Sequence, residues 1–588
     1  MREERRRMKR NQQKRKDAAA RRAEAKRSGD DKTLGRGRGQ RTEFFKEPEE
    51  ETPPAPLPKV TNARQIAFRV LDDHGQSGQF VGSLLENVLW SAQIAHPAER
   101  RLATELANGI VRRQLTLDAI LKKFVDRPLD QVEPRLRTLL RLGTYQLVLA
   151  SGIKSHAAVD ETVELARWSD EERWTGFLNG VLRSIDRSVE AAAENSDSAG
   201  IVTEFSPKAV PLDLEPAEDS AEPGEQRYRL LDREVFTGLH DIPRFLSAAF
   251  GLPLWLVIRW ERRFDRDRLF RLASAFNFRP PLTLRVNSLR TSREELLALL
   301  REHAAGVEAA EEDRKADPKI STTDADQTAD LEEVDRCEEA SDEQDDSTPV
   351  DVSSEPKRPP SRRASFGEGR QPNTIWCKGA GNPVALPGFA EGLFTVQDET
   401  AMSAAVLLDP QPGQRVLDLC AAPGTKSTHM AQLMKNQGSV LAVDSDAARL
   451  ERVPENAERL GMGIVEAAVV KDDLSDLAAG PFDAILVDVL CSNTGVLGKR
   501  PEVRTRLRRG DVEELAELQL KLLTAAAERL APGGRLVYST CSIEPEENSG
   551  VVSRFLETAI GIRLEETRDF FPGEPSDGGF QALLVKET

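Results

Sequence analysis

Apolar positions recur along this chain with two different periods, and the change of period divides it. From Asn62 to about Arg187 the spacing is helical. Leu136, Leu139, Leu140, Gly143 and Leu147 fall at i, i+3, i+4, i+7 and i+11, with Arg135, Arg137 and Arg141 off that face. Asn62–Leu71 repeats the pattern, so residues 59–188 read as an all-α domain. Leu282–Asn287 alternates as a strand does, and Ser292 and Glu295 have capping-box spacing ahead of Leu296, Leu297, Leu299 and Leu300. These elements belong to a small α+β unit over 239–393. From about Phe394 short apolar runs alternate with helical stretches. Arg415–Leu419, Ser439–Asp444, Phe482–Asp488 and Gly534–Thr540 are the strands, with helices over 427–436 and Ala447–Leu460. Such alternation predicts a mostly parallel, doubly wound (Rossmann-like) α/β sheet over 394–588, which binds its ligands at the strand C-termini.

Three segments lack either period. Residues 1–58 are polar and basic, and 189–238 read as a linker rich in Ala, Glu, Ser and Pro. The stretch of about 308–372 reads as a disordered acidic insertion, because so polar a segment buries too little apolar surface to offset the entropy of ordering. The same reasoning makes the N-terminal tail disordered. The net charge of −16 argues against a nucleic-acid partner only until its location is considered. Met1–Thr42 carries 17 Lys/Arg against 6 Asp/Glu, whereas Glu308–Asp351 carries 18 Asp/Glu against 4 Lys/Arg. One insertion therefore supplies most of the negative charge, and the basic tail suits sequence-independent contact with phosphates.

The five cysteines lack CxxC spacing and the six histidines do not cluster, so neither a disulfide framework nor a metal site is expected. The opening residues lack the hydrophobic region of a secretory signal, and no apolar run is long enough to span a bilayer. A cytoplasmic, monomeric protein is the simplest expectation.

The chemistry-bearing residues collect at the predicted strand ends. The loop Cys420-Ala421-Ala422-Pro423-Gly424-Thr425-Lys426 is small enough for a ligand to approach backbone N–H groups at a helix start. Thr425 splits the Gly-Lys step that a phosphate-binding Walker loop requires, and the NAD fingerprint is missing. Asp444 ends the next strand, where a carboxylate accepts ribose hydroxyls. S-adenosylmethionine is therefore the better candidate, with Asp472 (or Asp473) placed for the adenine end. Two thiols, Cys491 and Cys541, follow on further strand ends, with Asp488 beside the first. Cytosine carbon 5 is a poor nucleophile until a thiolate adds at carbon 6, after which it can take a sulfonium methyl. The sulfur then leaves once a base removes the carbon 5 proton. Cys541, Asp488 and Cys491 fit the nucleophile, acid and base of that scheme. Buried strand cysteines are the plainer alternative, and the presence of a second thiol weighs against it.

Two resemblances sharpen the picture. Ala63–Leu71, Leu139–Leu147, Ala158–Ala166 and Phe177–Arg183 resemble, in order, the NusB-like RNA-binding helical domain. Val396–Glu399, Asp418–Lys426, Asp488…Cys491–Gly495 and Tyr538–Asn548 resemble the NOL1/NOP2/Sun family of RNA (cytosine-5) methyltransferases. With the helical domain in front, the architecture is similar to the bacterial Sun/Fmu-type branch acting on 16S rRNA, built on a class I methyltransferase domain. The resemblance implies Cys541 as nucleophile and Cys491 as the thiol that assists release. It further implies an S-adenosylmethionine site made of Cys420 to Lys426, Asp444, Asp472 (or Asp473) and Asp488. Two departures stand out. The family's Asp-Ala-Pro-Cys is here Asp488-Val489-Leu490-Cys491, which frees φ at 490 and is expected to loosen Cys491 and slow release. Thr425 stands where a second glycine is usual and is expected to crowd the cofactor.

A duplex hides the reacting ring atoms, so the target cytosine must be unpaired or flipped out. Lys499, Arg500 and Arg504, directly after the Cys491 loop, are expected to grip phosphates around it. A tRNA substrate and a non-catalytic ribosome assembly factor remain as alternatives to the 16S rRNA reading.

Overall fold

The computed structural model describes residues 57–588 apart from 93, 95, 195–199, 218–219, 221–222 and 317–363. The basic tail to residue 56 and the bulk of the acidic insertion, with Cys337, lie outside the described residues.

The helical domain holds Ala63–Ser77, Val81–Ser91, Pro97–Arg112, Gln114–Leu121, Pro134–Val148, Ser155–Trp168 and Thr175–Glu194. Local chemistry sets its starts: the Asn62 carboxamide accepts the Gln65 N–H at 3.0 Å, and Pro97 and Pro134 occupy first-turn positions that need no donor. Leu136, Leu139 and Leu140 are buried as the spacing predicts. Gly143 permits close helix contact, since a Cβ there would lie 2.6 Å from Leu182. Arg135 departs from the expected solvent face: it is buried and forms a forked contact with Asp72 at 2.9 and 3.0 Å.

Residues 189–238 are more than a linker. Strands β1 (Ile201–Val202), β2 (Ala209–Pro211) and β3 (Tyr228–Leu230) make a three-stranded sheet in the order β1-β3-β2. Val210, Leu231, Val235 and Phe236 join the core of the helical domain. These apolar residues are too scattered to show a period, but together they bury a face. The helices Ile242–Phe250, Leu254–Glu261 and Arg266–Ala275 extend that same core through Phe245, Leu256 and Trp260.

Strands β4 (Leu282–Val286), β5 (Ser365–Glu368), β6 (Thr374–Lys378) and β7 (Phe394–Val396) form a four-stranded antiparallel sheet in the order β5-β6-β4-β7. Strand β5 therefore ends the insertion earlier than the expected 372, and β7 belongs to this sheet instead of opening the next domain. The capping box is present: Ser292 Oγ accepts the Glu295 N–H at 3.1 Å and Glu295 accepts the Ser292 N–H at 3.0 Å.

The C-terminal sheet has seven strands in the order β10-β9-β8-β11-β12-β14-β13. These are β8 (Arg415–Leu419), β9 (Ser439–Asp444), β10 (Val465–Val469), β11 (Phe482–Asp488), β12 (Leu530–Thr540), β13 (Ile562–Phe571) and β14 (Glu574–Lys586). Neighbours from β10 to β12 run parallel, and β14 runs antiparallel to both β12 and β13. The Rossmann-like expectation holds, and the four strands read from the pattern lie in the sheet's interior. The helix expected over Ala447–Leu460 is two, Ala447–Leu450 and Arg452–Leu460, because Pro454 offers no N–H to continue the first turn. Order reversal around β8 and β11 opens a cleft at the strand C-termini.

Candidate active site

The cleft encloses about 1160 Å³, and its lining comes from the helical domain, the small α+β unit and the seven-stranded sheet. Its floor is the turn after β8. Cys420 takes a left-handed φ of 65° and Gly424 one of 91°, so the chain doubles back before the helix Thr425–Leu433. The Ala421 N–H is held by Val443 O at 2.9 Å. Asp444 braces this turn from below: its carboxylate accepts the N–H groups of Ala422 at 3.2 Å and Asp446 at 3.0 Å, and it does not line the cleft. Asp472 and Asp473 stand exposed after β10, also outside the lining. Thr425 does line the cleft, and its carbonyl accepts Arg285 Nη1 from β4 at 2.7 Å.

Asp418, which pattern reading passed over as a buried strand residue, lines the cleft with no exposed surface. One carboxylate oxygen accepts Ser427 Oγ at 2.6 Å; the other has no partner. Burial, reinforced by Asp488, pushes this carboxyl up to about 7. Nearby, Lys426 pairs with Asp488 at 2.5 Å. Burial alone would lower the ammonium, but Asp488 outweighs it and holds Lys426 above its ordinary value. The Cys420 thiol is pushed up to about 12 by burial and then by Asp444, Asp488 and Asp418, so it remains neutral and is a poor nucleophile.

The two remaining thiols meet. Cys491 Sγ lies 3.0 Å from Cys541 Sγ, because Asp488 and Ser539 are register partners on β11 and β12. Asn493, in a left-handed conformation, joins the loops: its Nδ2 donates to Cys491 O at 2.7 Å and its Oδ1 accepts from Cys541 Sγ at 3.3 Å. Contact with Cys541, burial and the Glu547 charge drive the Cys491 thiol well above its usual range. Cys541, less buried than Cys491, faces the cleft.

Beneath the thiols sits a carboxylate that spacing alone did not single out. Of the three glutamates in Glu544-Pro545-Glu546-Glu547, Glu544 is buried against Arg259 (2.6 Å) and Trp260 (2.8 Å). Glu546 stays substantially exposed. Glu547 is buried under the Cys491 and Cys541 loops and accepts from Ser492, Ser542 and Gln519.

The expected phosphate grip divides three ways. Arg500 is exposed on the cleft wall. Lys499 also faces the cleft, but Asp398 at 2.5 Å and Asp577 at 2.9 Å neutralise much of its charge. The expectation for Arg504 fails. Arg504 is buried, and its guanidinium donates to the carbonyls of Leu497, Arg112, Phe250, Gly251 and Phe276 and to Asn277 Oδ1, leaving no face for a phosphate. Its place in a run of cations resembles a surface patch, and only the long-range carbonyls reveal otherwise. Arg100, Arg101 and Arg279 line the cleft from other parts of the chain. Among the described residues no cluster suited to a metal ion occurs, and no helix is long and apolar enough to cross a membrane.

Comparison with known proteins agrees with this division. Residues 405–582 match the family described as 16S rRNA methyltransferase RsmB/F, residues 61–187 match the NusB family, and residues 252–316 match the ferredoxin-like domain of RsmF/B-like methyltransferases. The chain is 31% identical to the ribosomal RNA small subunit methyltransferase B of Salmonella paratyphi C, over 90% of this chain and all of that protein. It is 32% identical to the protein of the same name from Klebsiella pneumoniae strain 342, over 89% of this chain and 98% of the relative. A probable ribosomal RNA small subunit methyltransferase B of Synechocystis is 29% identical over 86% of this chain and 91% of its own length. The solved structure of PH0851 shares the fold, with a TM-score of 0.62 and 22% identity over 90% of this chain and the whole of the other.

Proposed function

Since the chain belongs to the RsmB/F family of 16S rRNA methyltransferases, we propose that it methylates carbon 5 of a cytosine in 16S rRNA through a covalent Cys541 adduct, with S-adenosylmethionine as methyl donor. The observation that carries this reading is the meeting of two thiols beside the Lys426–Asp488 pair, at the ends of adjacent strands. Methyl transfer to an exocyclic amine or a ribose hydroxyl needs no thiol, whereas transfer to an electron-poor ring carbon needs a removable nucleophile.

The residues suit the cofactor. Asp418 presents an unpartnered, buried oxygen to the cleft, fit for an ammonium group, beside the small loop from Cys420 to Lys426 and Asp488. When bound, S-adenosylmethionine supplies an electrophilic sulfonium methyl. Asp444 acts through the loop it braces. Cys541 Sγ adds to carbon 6 of a flipped-out cytosine, and Asp488, steadied by Lys426, holds the pyrimidine edge. Once carbon 5 is methylated, Cys491 accepts its proton, the freed electron pair restores the carbon 5–carbon 6 double bond, and the carbon–sulfur bond breaks with its electron pair returning to Cys541. Cys491, protonated at rest, assists that departure by passing its thiol proton to the leaving Cys541 sulfur, which frees it to take the carbon 5 proton. Arg500, with Arg100 and Arg101 on the cleft lining, holds the flanking phosphates.

The test is Cys491→Ala protein expressed in cells and run on denaturing gels. A covalent RNA–protein band that vanishes in the Cys491→Ala/Cys541→Ala double variant is expected, and sequencing the trapped RNA names the base. Recovery of tRNA instead of 16S rRNA would transfer the substrate to that class. Absence of methylated RNA from purified, cofactor-binding wild-type protein would favour an assembly factor.

A further inference from the structure

The two thiol-bearing loops are held by different means. Cys541 follows the end of β12, where Thr540 is paired with Phe580 of β14, and its carbonyl accepts the Gly495 N–H at 2.9 Å. Thr540 Oγ1 also donates to Asn548 at 2.7 Å. The sheet therefore fixes Cys541. Cys491 stands in a loop three residues past β11, flanked by Leu490, half exposed in the cleft, and by Ser492. No proline restrains this loop. Its backbone is gripped instead from below. Gln519 Nε2, on the helix Asp511–Glu528, donates to Leu490 O at 2.8 Å and to Glu547 Oε1 at 3.0 Å. Glu547 Oε1 accepts the Ser492 N–H at 2.8 Å, and Oε2 accepts the hydroxyls of Ser492 and, at 2.5 Å, Ser542. Tyr538 closes the base, its hydroxyl 2.5 Å from Glu547 O and 3.1 Å from Gln519 Oε1. The side chains of Gln519, Glu547, Ser492, Ser542 and Tyr538 are all buried, so each lost bond among them costs the desolvation of its partner.

We infer that Gln519 and Glu547 are positioning residues for Cys491: they clamp the backbone on both sides of that thiol and so hold it against Cys541 Sγ for the release step. This rests on the two-thiol reading above and extends it to residues that lie outside the cleft lining. The clamp thus does the work of a rigid residue at 490, and the looseness expected of Leu490 is offset from the helix beneath it.

The asymmetry between the loops supplies the test. Removing the Gln519 or Ser492 contacts frees Cys491 while the sheet still presents Cys541, so attack and methyl transfer continue and release lags; Glu547 also holds Ser542, but Thr540 stays fixed by β14 and Asn548. Gln519→Ala, Glu547→Gln and Ser492→Ala, each checked for a wild-type circular dichroism spectrum, are mixed with 16S rRNA and methyl-labelled S-adenosylmethionine. Covalent adduct and free methylated RNA are counted over time. Gln519→Ala and Glu547→Gln are expected to accumulate adduct and release product about tenfold more slowly, the scale of a small misplacement of a reacting group, with KM for RNA unchanged. Ser492→Ala, which removes one hydroxyl, is expected to show a smaller shift of the same sign. If adduct and product fall together, or neither changes in folded variants, the clamp is structural only and the inference is overturned. Should Glu547→Gln not fold, the two milder variants decide. A Cys491→Ala control that traps no adduct while wild type methylates RNA would instead remove the two-thiol reading, a different failure.

Discussion

Two buried, highly charged regions of this molecule use the same residue types to opposite ends. At the junction between the helical domain and the catalytic sheet, polar groups of distant segments pair with one another. Arg504 donates to five carbonyls and a carboxamide, and Asp213 is surrounded by Arg112, Arg113 and Arg279. Burial alone would raise the Asp213 carboxyl, but the three guanidiniums hold it well below the usual range. In the cleft, Asp418 keeps an unpartnered oxygen, and two thiols face each other on the cavity lining. Charges that pair across a junction lock parts of the chain together, whereas an acceptor and two thiols on a cleft wall are placed to meet a ligand.

The contrast breaks most sharply at the nucleophile. Cys541→Ala should cut methylation by at least about 10⁴-fold without lowering the melting temperature, as expected for loss of a covalent catalyst. Arg504→Met should do the reverse. Stripping a buried cation from its acceptors should cost about 3–5 kcal/mol in urea unfolding, with the adduct chemistry intact in the folded fraction at low temperature.

Asp418 gives a finer test. Its raised value means the fold itself favours the protonated acid, so its contribution to stability declines as pH rises from the ordinary carboxylate range through about 7. The ionised form needed to accept an ammonium prevails only above that point. Affinity for S-adenosylhomocysteine, measured calorimetrically, should therefore rise between about pH 6 and about pH 8. Asp418→Asn should bind more weakly at the upper end and lose that slope. The smallest effect is expected from Leu490→Pro: with the clamp beneath it intact, release should change by no more than the equivalent of about 1 kcal/mol. A large gain in release would show that the loop is under-restrained and reduce the clamp to a minor role.

Much of the architecture was legible because it is local. The helical period of 134–148, the apolar runs of β8, β9, β11 and β12, and the placement of Cys420, Asp488, Cys491 and Cys541 after strands need only near neighbours to be read. The polar assignments fared less evenly. Lys499, Arg500 and Arg504 look alike in sequence, yet one is ion-paired, one exposed and one buried among carbonyls contributed from hundreds of residues away. Glu544, Glu546 and Glu547 likewise separate into a helix anchor, an exposed side chain and the base of the thiol clamp.

The sequence by itself determined which segments form strands and helices and which reactive atoms stand at strand ends, since backbone periodicity and turn chemistry act over a few residues. Tertiary structure alone decided that residues 201–230 build a sheet, that β14 enters antiparallel, and that Asp418 keeps a free oxygen. Those outcomes depend on which distant donors and acceptors meet, and a polar side chain carries no local sign of the partner that will bury it.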